Sequence, residues 1–192
     1  MLFTINVITN NIRCDTQSYF VHHNKAGNND LSAIPKETID LLTEMEKQYV
    51  KNNKHYFESL LNHQDYIIRT RAVCILAEIA GEESVKHLSK VLQQDDNALV
   101  RHEAAFSLGQ LGFSSGIRSL SCAVTSDPSF FVRHEAAIAL GVIGSDKAKS
   151  TLKGALVDSS EEVRQSALVA LANLKYISTT NRRNKFTTLT GG

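Results

Sequence analysis

Two short segments hold the residues best suited to chemistry. His102-Glu103 and His134-Glu135 each sit in the same six residues, Val-Arg-His-Glu-Ala-Ala, beginning at Val100 and Val132. Imidazole beside carboxylate, with no thiolate, is a donor set for iron, zinc or manganese. On neighbouring helices about 8–10 Å apart, two imidazoles can converge on one ion at bonds of about 2.0–2.1 Å. Open coordination positions on such a site favour redox iron chemistry with dioxygen. The alternative is a polar exposed face, copied when one unit duplicated. Spacing alone leaves both open. The candidate metal ligands are therefore His102, Glu103, His134 and Glu135, with no separate catalytic or cofactor-binding residue.

The elements that must position these pairs come from an internal repeat. Ile68-Arg69-Thr70-Arg71, Val100-Arg101-His102-Glu103, Val132-Arg133-His134-Glu135 and Val163-Arg164-Gln165-Ser166 align on Arg69, Arg101, Arg133 and Arg164. The steps between those arginines are 32, 32 and 31 residues. Such a period signals stacked helix pairs, because one pair cannot bury its apolar face alone. In the second unit, Val85, Leu88 and Leu92 predict a first helix over 84–93. Asp95-Asp96-Asn97 supplies turn and N-cap chemistry. Val100, Ala104, Leu108 and Leu111 predict a second helix over 99–111, closed by Gly112. Pro128 suits the first helical position of the third unit. The whole reads as an all-α solenoid (superhelix) of about four HEAT-like helix pairs over about 55–176. A leading helix over about 35–49 caps the stack with Ile39, Leu42, Met45 and Tyr49.

The repeat separates scaffold from variable positions. The four arginines recur throughout, and with Asp65, Asp96, Asp127 and Asp158 they predict a ladder of Arg–Asp contacts between neighbouring repeats. Ala104, Ala105, Ala136 and Ala137 serve close helix packing. The His-Glu slot is Thr70-Arg71 in the first unit and Gln165-Ser166 in the fourth, so stacking does not require it. By projection His102 lies at ~200° from Val100 and Glu103 at ~300°. The apolar stripe centres near ~35°. His102 is thus expected to face away from that stripe, toward a concave ligand-binding surface, with room left by Ala105 and Gly109. Ala137 and Gly141 repeat this beside His134.

Composition bounds the rest. The formal net charge of +1 gives no bulk attraction to nucleic acid or membrane. No apolar run approaches the ~20 residues of a membrane span. The three cysteines, Cys14, Cys74 and Cys122, show no Cys-x-x-Cys spacing, which argues against a disulfide framework or structural zinc. Cys74 and Cys122 read as buried apolar groups, and a cytoplasmic location is the default. Residues 1–34 are expected to be largely unstructured, with one short strand over 2–8, residues 35–176 to form the repeat domain, and residues 177–192 to be a tail.

The succession of units, with His102-Glu103-Ala104-Ala105 followed by His134-Glu135-Ala136-Ala137 and then Val163-Arg164-Gln165-Ser166, resembles one half of the deoxyhypusine hydroxylase family over about 56–176. That family consists of HEAT-repeat di-iron monooxygenases that hydroxylate a modified lysine of a translation factor. The resemblance implies that His102, Glu103, His134 and Glu135 are iron ligands. The family carries four His-Glu pairs and this chain two, so the site would be completed in a homodimer holding two ions of iron. The second reading is a non-enzymatic HEAT-repeat adaptor that binds a protein. A third, weaker one is a bilin lyase or related chaperone, since the units also look like the wider class that includes phycobilin lyases.

Overall fold

The computed structural model describes residues 34–180. Among them run nine α-helices: α1 (Lys36–Val50), α2 (Lys54–Leu60), α3 (Tyr66–Ala80), α4 (Val85–Gln94), α5 (Ala98–Leu111), α6 (Ile117–Ser126), α7 (Phe130–Ile143), α8 (Lys149–Ala155) and α9 (Glu161–Thr180). No strand occurs among the described residues. The chain folds as an all-α solenoid of four helix pairs, α2–α3, α4–α5, α6–α7 and α8–α9, with α1 leading. First helices α4, α6 and α8 pack on one another as one layer, and second helices α3, α5, α7 and α9 form the other. Short 3₁₀ turns at Gly81–Ser84, Ser114–Gly116 and Asp146–Ala148 lead into α4, α6 and α8.

Local chemistry sets the helix ends. Asn53, Asp65 and Asn97 cap α2, α3 and α5, each side chain accepting from a backbone N–H just inside its helix. Gly112 and Gly144 close α5 and α7 in the left-handed conformation, at φ 71° and 68°. Pro128 precedes the Ser129 cap and so lies outside α7, not at its first helical position. The helix α9 continues four residues beyond Tyr176, to Thr180. The expectations for residues 1–33, including the strand, and for 181–192 lie outside the described residues.

Packing follows the repeat. Ala104, Ala105, Ala136 and Ala137 are fully buried, as are Val100 and Val132. At Gly109 and Gly141 the neighbouring second helix comes within reach of the backbone. A Cβ on Gly109 would lie 2.8 Å from Ala139 Cβ, and one on Gly141 2.7 Å from Ala170 Cβ. These glycines thus admit the next helix rather than leave room around an imidazole. In α1, Met45 is buried while Ile39 and Tyr49 are exposed, so the packed face is Thr38, Leu41, Leu42 and Met45. Thr38 donates to Asp65 and Tyr49 to Glu78, so α1 runs alongside α3 in the same direction.

The arginine ladder is present, through Asp96, Asp127 and Asp158 as expected, with Asp95 added at the first rung. Arg101 Nε and Nη2 donate to the two carboxylate oxygens of Asp127 at 2.7 and 2.9 Å. Arg133 makes the same fork on Asp158, at 2.8 and 2.9 Å. Arg69 forks onto Asp95, and Asp96 accepts one further bond. The ladder aspartate thus stands six residues before the next arginine: Asp95, Asp127 and Asp158. Asp65, two places later in its unit, is a helix cap, and His63 occupies the ladder slot there, accepting from Asp65 N. Each arginine also donates Nη1 to two carbonyls of its own turn, for Arg101 those of Asp95 and Asp96. Bidentate, largely sequestered pairs of this kind fix register as well as contribute energy.

Candidate functional site

The His-Glu segments occupy the first two turns of α5 and α7. Counted from each ladder arginine, histidine is at +1 and glutamate at +2. A helix in this layer is covered by its own first helix and by the second helices on either side. The +1 residue consequently points forward into the next joint and the +2 residue points back into the previous one. His102 Nε2 lies 3.4 Å from Glu135 Oε2 across the α5–α7 joint. One joint further on, His134 Nδ1 lies 2.6 Å from the Ser166 hydroxyl, which itself donates to Glu162 O. The sequence slot Gln165-Ser166 therefore supplies a hydroxyl where the previous joint has a carboxylate.

Burial differs from the expected open surface. His102 is 7% exposed, Glu103 2% and Glu135 6%; His134 is half-buried. Nine of the fourteen residues of α5 are buried, so a side chain opposite the apolar stripe does not reach solvent. The His102 ring stacks on Phe131, centroids 3.8 Å apart and planes 9° apart. Ser107 donates to Glu103 at 3.5 Å. Burial pushes the acid of Glu135 up to about 7, and the charge of Glu103 adds to the shift. Phe131 was not among the candidates. Its signal was weak, an aromatic two residues before the ladder arginine.

The structure thus sets His102 against Glu135 across the α5–α7 joint, with Glu103 near enough for its charge to act on Glu135, and sends His134 to the next joint. Among the described residues no three His, Cys, Asp or Glu side chains are disposed to hold a metal ion. The donor chemistry suits iron all the same, with two imidazoles, two carboxylates and no thiolate. A bound cation would also relieve the two effects that raise Glu135. Elsewhere Cys122 is exposed and Cys74 half-buried, which corrects the expectation of two buried apolar groups. No described helix is long and apolar enough to cross a membrane.

A chain of helix pairs with an arginine–aspartate ladder and glycine-tight joints defines a class. Residues 33–109 and 85–172 match the model of HEAT repeats, and the chain belongs to the HEAT-repeat family. Among solved structures it is similar to human deoxyhypusine hydroxylase in complex with glycerol, at 26% sequence identity and a TM-score of 0.62. The likeness covers 72% of this chain and 49% of that one, so this chain spans about half of that protein's length. No curated protein matches.

Proposed function

We propose that the chain is an iron-dependent monooxygenase resembling deoxyhypusine hydroxylase. It would act in the cytoplasm on a modified lysine side chain of a translation factor. A homodimer would complete the site, with His102, Glu103, His134 and Glu135 of each copy holding two ions of iron. One observation carries this reading: two glutamates one repeat apart are buried beside an imidazole, and Glu135 is raised by burial and by its neighbour's charge. Stacking does not call for that arrangement, since the first unit has Thr70-Arg71 in the slot.

Iron, when bound, supplies the activation of dioxygen. The chain's own residues orient and seclude. Phe131 fixes the plane of His102. Ser166 engages His134 Nδ1, which leaves Nε2 as the nitrogen for a metal. Glu135, held out of water, would be ionised by the cation it binds. A single chain provides two carboxylates and two imidazoles over two joints, and a two-fold axis doubles that set.

The test is anaerobic Fe(II) titration with metal analysis, together with light scattering with and without chelator. About one iron per chain is expected, by the resemblance, and association should rise with bound metal by linkage. His102→Ala and His134→Ala should each lose metal while helical content persists. A monomer that binds iron would sink the shared site. Failure to bind Fe(II), Zn(II) or Mn(II) would leave the second reading, a HEAT-repeat adaptor. The engagement of His134 by Ser166 in a purely structural bond favours that reading.

A further inference from the structure

The formal charge of +1 is a sum, and the fold spreads its parts unevenly. Fifteen residues before each ladder arginine, on the first helix of every pair, stands a cation: Lys54, Lys86, Arg118 and Lys149. One turn further along the same face come Glu58, Lys90, Cys122 and Lys153. The first unit neutralises its own cation. Lys54 reaches Glu83 at 2.8 Å, and Glu58 lies beside His55 and His87. The other three units do not. Lys86, Lys90, Arg118, Lys149 and Lys153 are all exposed, and none makes an ion pair among the described residues. Helices α4, α6 and α8 contain no Asp or Glu. The acids nearest in sequence, Glu82, Glu83 and Asp146, sit in the turns ahead of α4 and α8. Because the three helices pack side by side as one layer, the five cations share one face, on the layer opposite the His-Glu slot.

The make-up of this face narrows what it fits. Helices α4, α6 and α8 hold no Phe, Tyr or Trp and expose no large apolar side chain. A protein interface is anchored by buried aromatic or apolar groups and is depleted in lysine. Single-stranded nucleic acid stacks its bases on aromatic platforms, and a helix lying in a membrane surface needs an apolar side to bury. The backbone of a duplex asks for none of these, since Lys, Arg and hydroxyl groups hold its phosphates. Ser121, Thr125 and Ser150 stand among the five cations. From α4 to α8 is two helix spacings, about 16–20 Å, a length of duplex axis that carries roughly ten phosphates. Residues 1–33 set Asp15 and Asp30 against Arg13 and Lys25, and residues 181–192 hold three bases and no acid, so neither segment supplies a polyanion.

We propose that this face of the first-helix layer binds the phosphate backbone of a nucleic-acid duplex without reading its sequence. Lys86, Lys90, Arg118, Lys149 and Lys153 would each neutralise one phosphate. The inference is independent of the metal reading, because no residue of the slot takes part.

The test is fluorescence anisotropy of the full chain with a duplex of about 24 base pairs, as DNA and as RNA, between about 50 and 200 mM salt. Binding of both is expected. Five neutralised phosphates predict a slope of about −4.5 in log affinity against log salt, a loss of roughly 500-fold over that range. Lys86→Glu, Arg118→Glu and Lys149→Glu together should weaken binding roughly a hundredfold or more at the lower salt. Lys47→Glu, Lys51→Glu and Lys175→Glu make the same change in net charge at exposed positions off the face, and should cost far less. In the unaltered chain the duplex should slow alkylation of Cys122, which is exposed in the same row, as read by mass spectrometry of its peptide. No binding at the lower salt would overturn the proposal, as would equal losses in the two triple variants. So would an alkylation rate at Cys122 indifferent to the duplex, a result that needs no variant to fold. Anionic vesicles or polyglutamate bound as tightly as the duplex at the same salt would overturn it too.

Discussion

Two polar ladders run along this solenoid, and they differ in what each repeat requires of them. The arginine ladder links each repeat to the next at every interior joint, through the same two-pronged bond to Asp95, Asp127 and Asp158. The slot one and two residues further along also bridges repeat to repeat, but its chemistry changes from joint to joint. It is histidine to glutamate at α5–α7 and histidine to serine at α7–α9. The invariant ladder serves stacking. The variable slot is permitted by stacking, and any special chemistry must reside there.

The sharpest way to break the contrast is to remove a ladder arginine. Arg101→Ala would leave the Asp127 carboxylate buried without its fork and should cost roughly 3–5 kcal/mol, read by urea denaturation. Arg164→Ala, with no carboxylate to strand, should fall within about 0.5 kcal/mol of the parent. Equal effects of the two would mean that the ladder does not hold the joints.

The slot should instead declare itself through pH. The folded protein keeps the Glu135 proton up to about pH 7, whereas the unfolded chain releases it near the ordinary 4.5. The group's contribution is therefore fully present below pH 4.5 and is lost as pH rises through 7. The loss in metal-free protein should be on the order of 3 kcal/mol, seen as a falling unfolding midpoint. Glu135→Gln should flatten that slope. A slope that survives the substitution would assign it elsewhere.

Smaller effects refine the comparison. Gly109→Ala, whose new Cβ meets Ala139, should cost about 1–3 kcal/mol by forcing α5 and α7 apart. It should also weaken any Fe(II) uptake, because His102 and Glu135 face each other across that joint. Ser166→Ala should cost about 1 kcal/mol, and the readout is the nitrogen-15 chemical shift of the His134 ring.

Much of this was legible in the chain itself. The 32-residue step predicts the four pairs and the leading helix, and the alanines at the joints mark close packing. Three features were hidden, for physical reasons. Asp95 and Asp96 are adjacent and both bond Arg69, and only the geometry of the turn decides which of them takes the two-pronged fork. The burial of His102 was missed because a projection against one apolar stripe treats a helix as having one wet side. A second helix in a solenoid is covered from three directions, so the polar slot lies inside a joint. Phe131, stacked on His102, falls outside the repeated six residues and left little trace.

Gly109 and Gly141 also have a mechanical consequence. Where a backbone rests directly on an alanine methyl, no side chain remains to be compressed, so the joint can open but cannot be squeezed. The corresponding place in the first pair is Ala77, a residue with a methyl of its own. The α5–α7 and α7–α9 joints are therefore expected to resist compression more than α3–α5, and His102 and Glu135, which face each other across α5–α7, cannot be pressed closer by it.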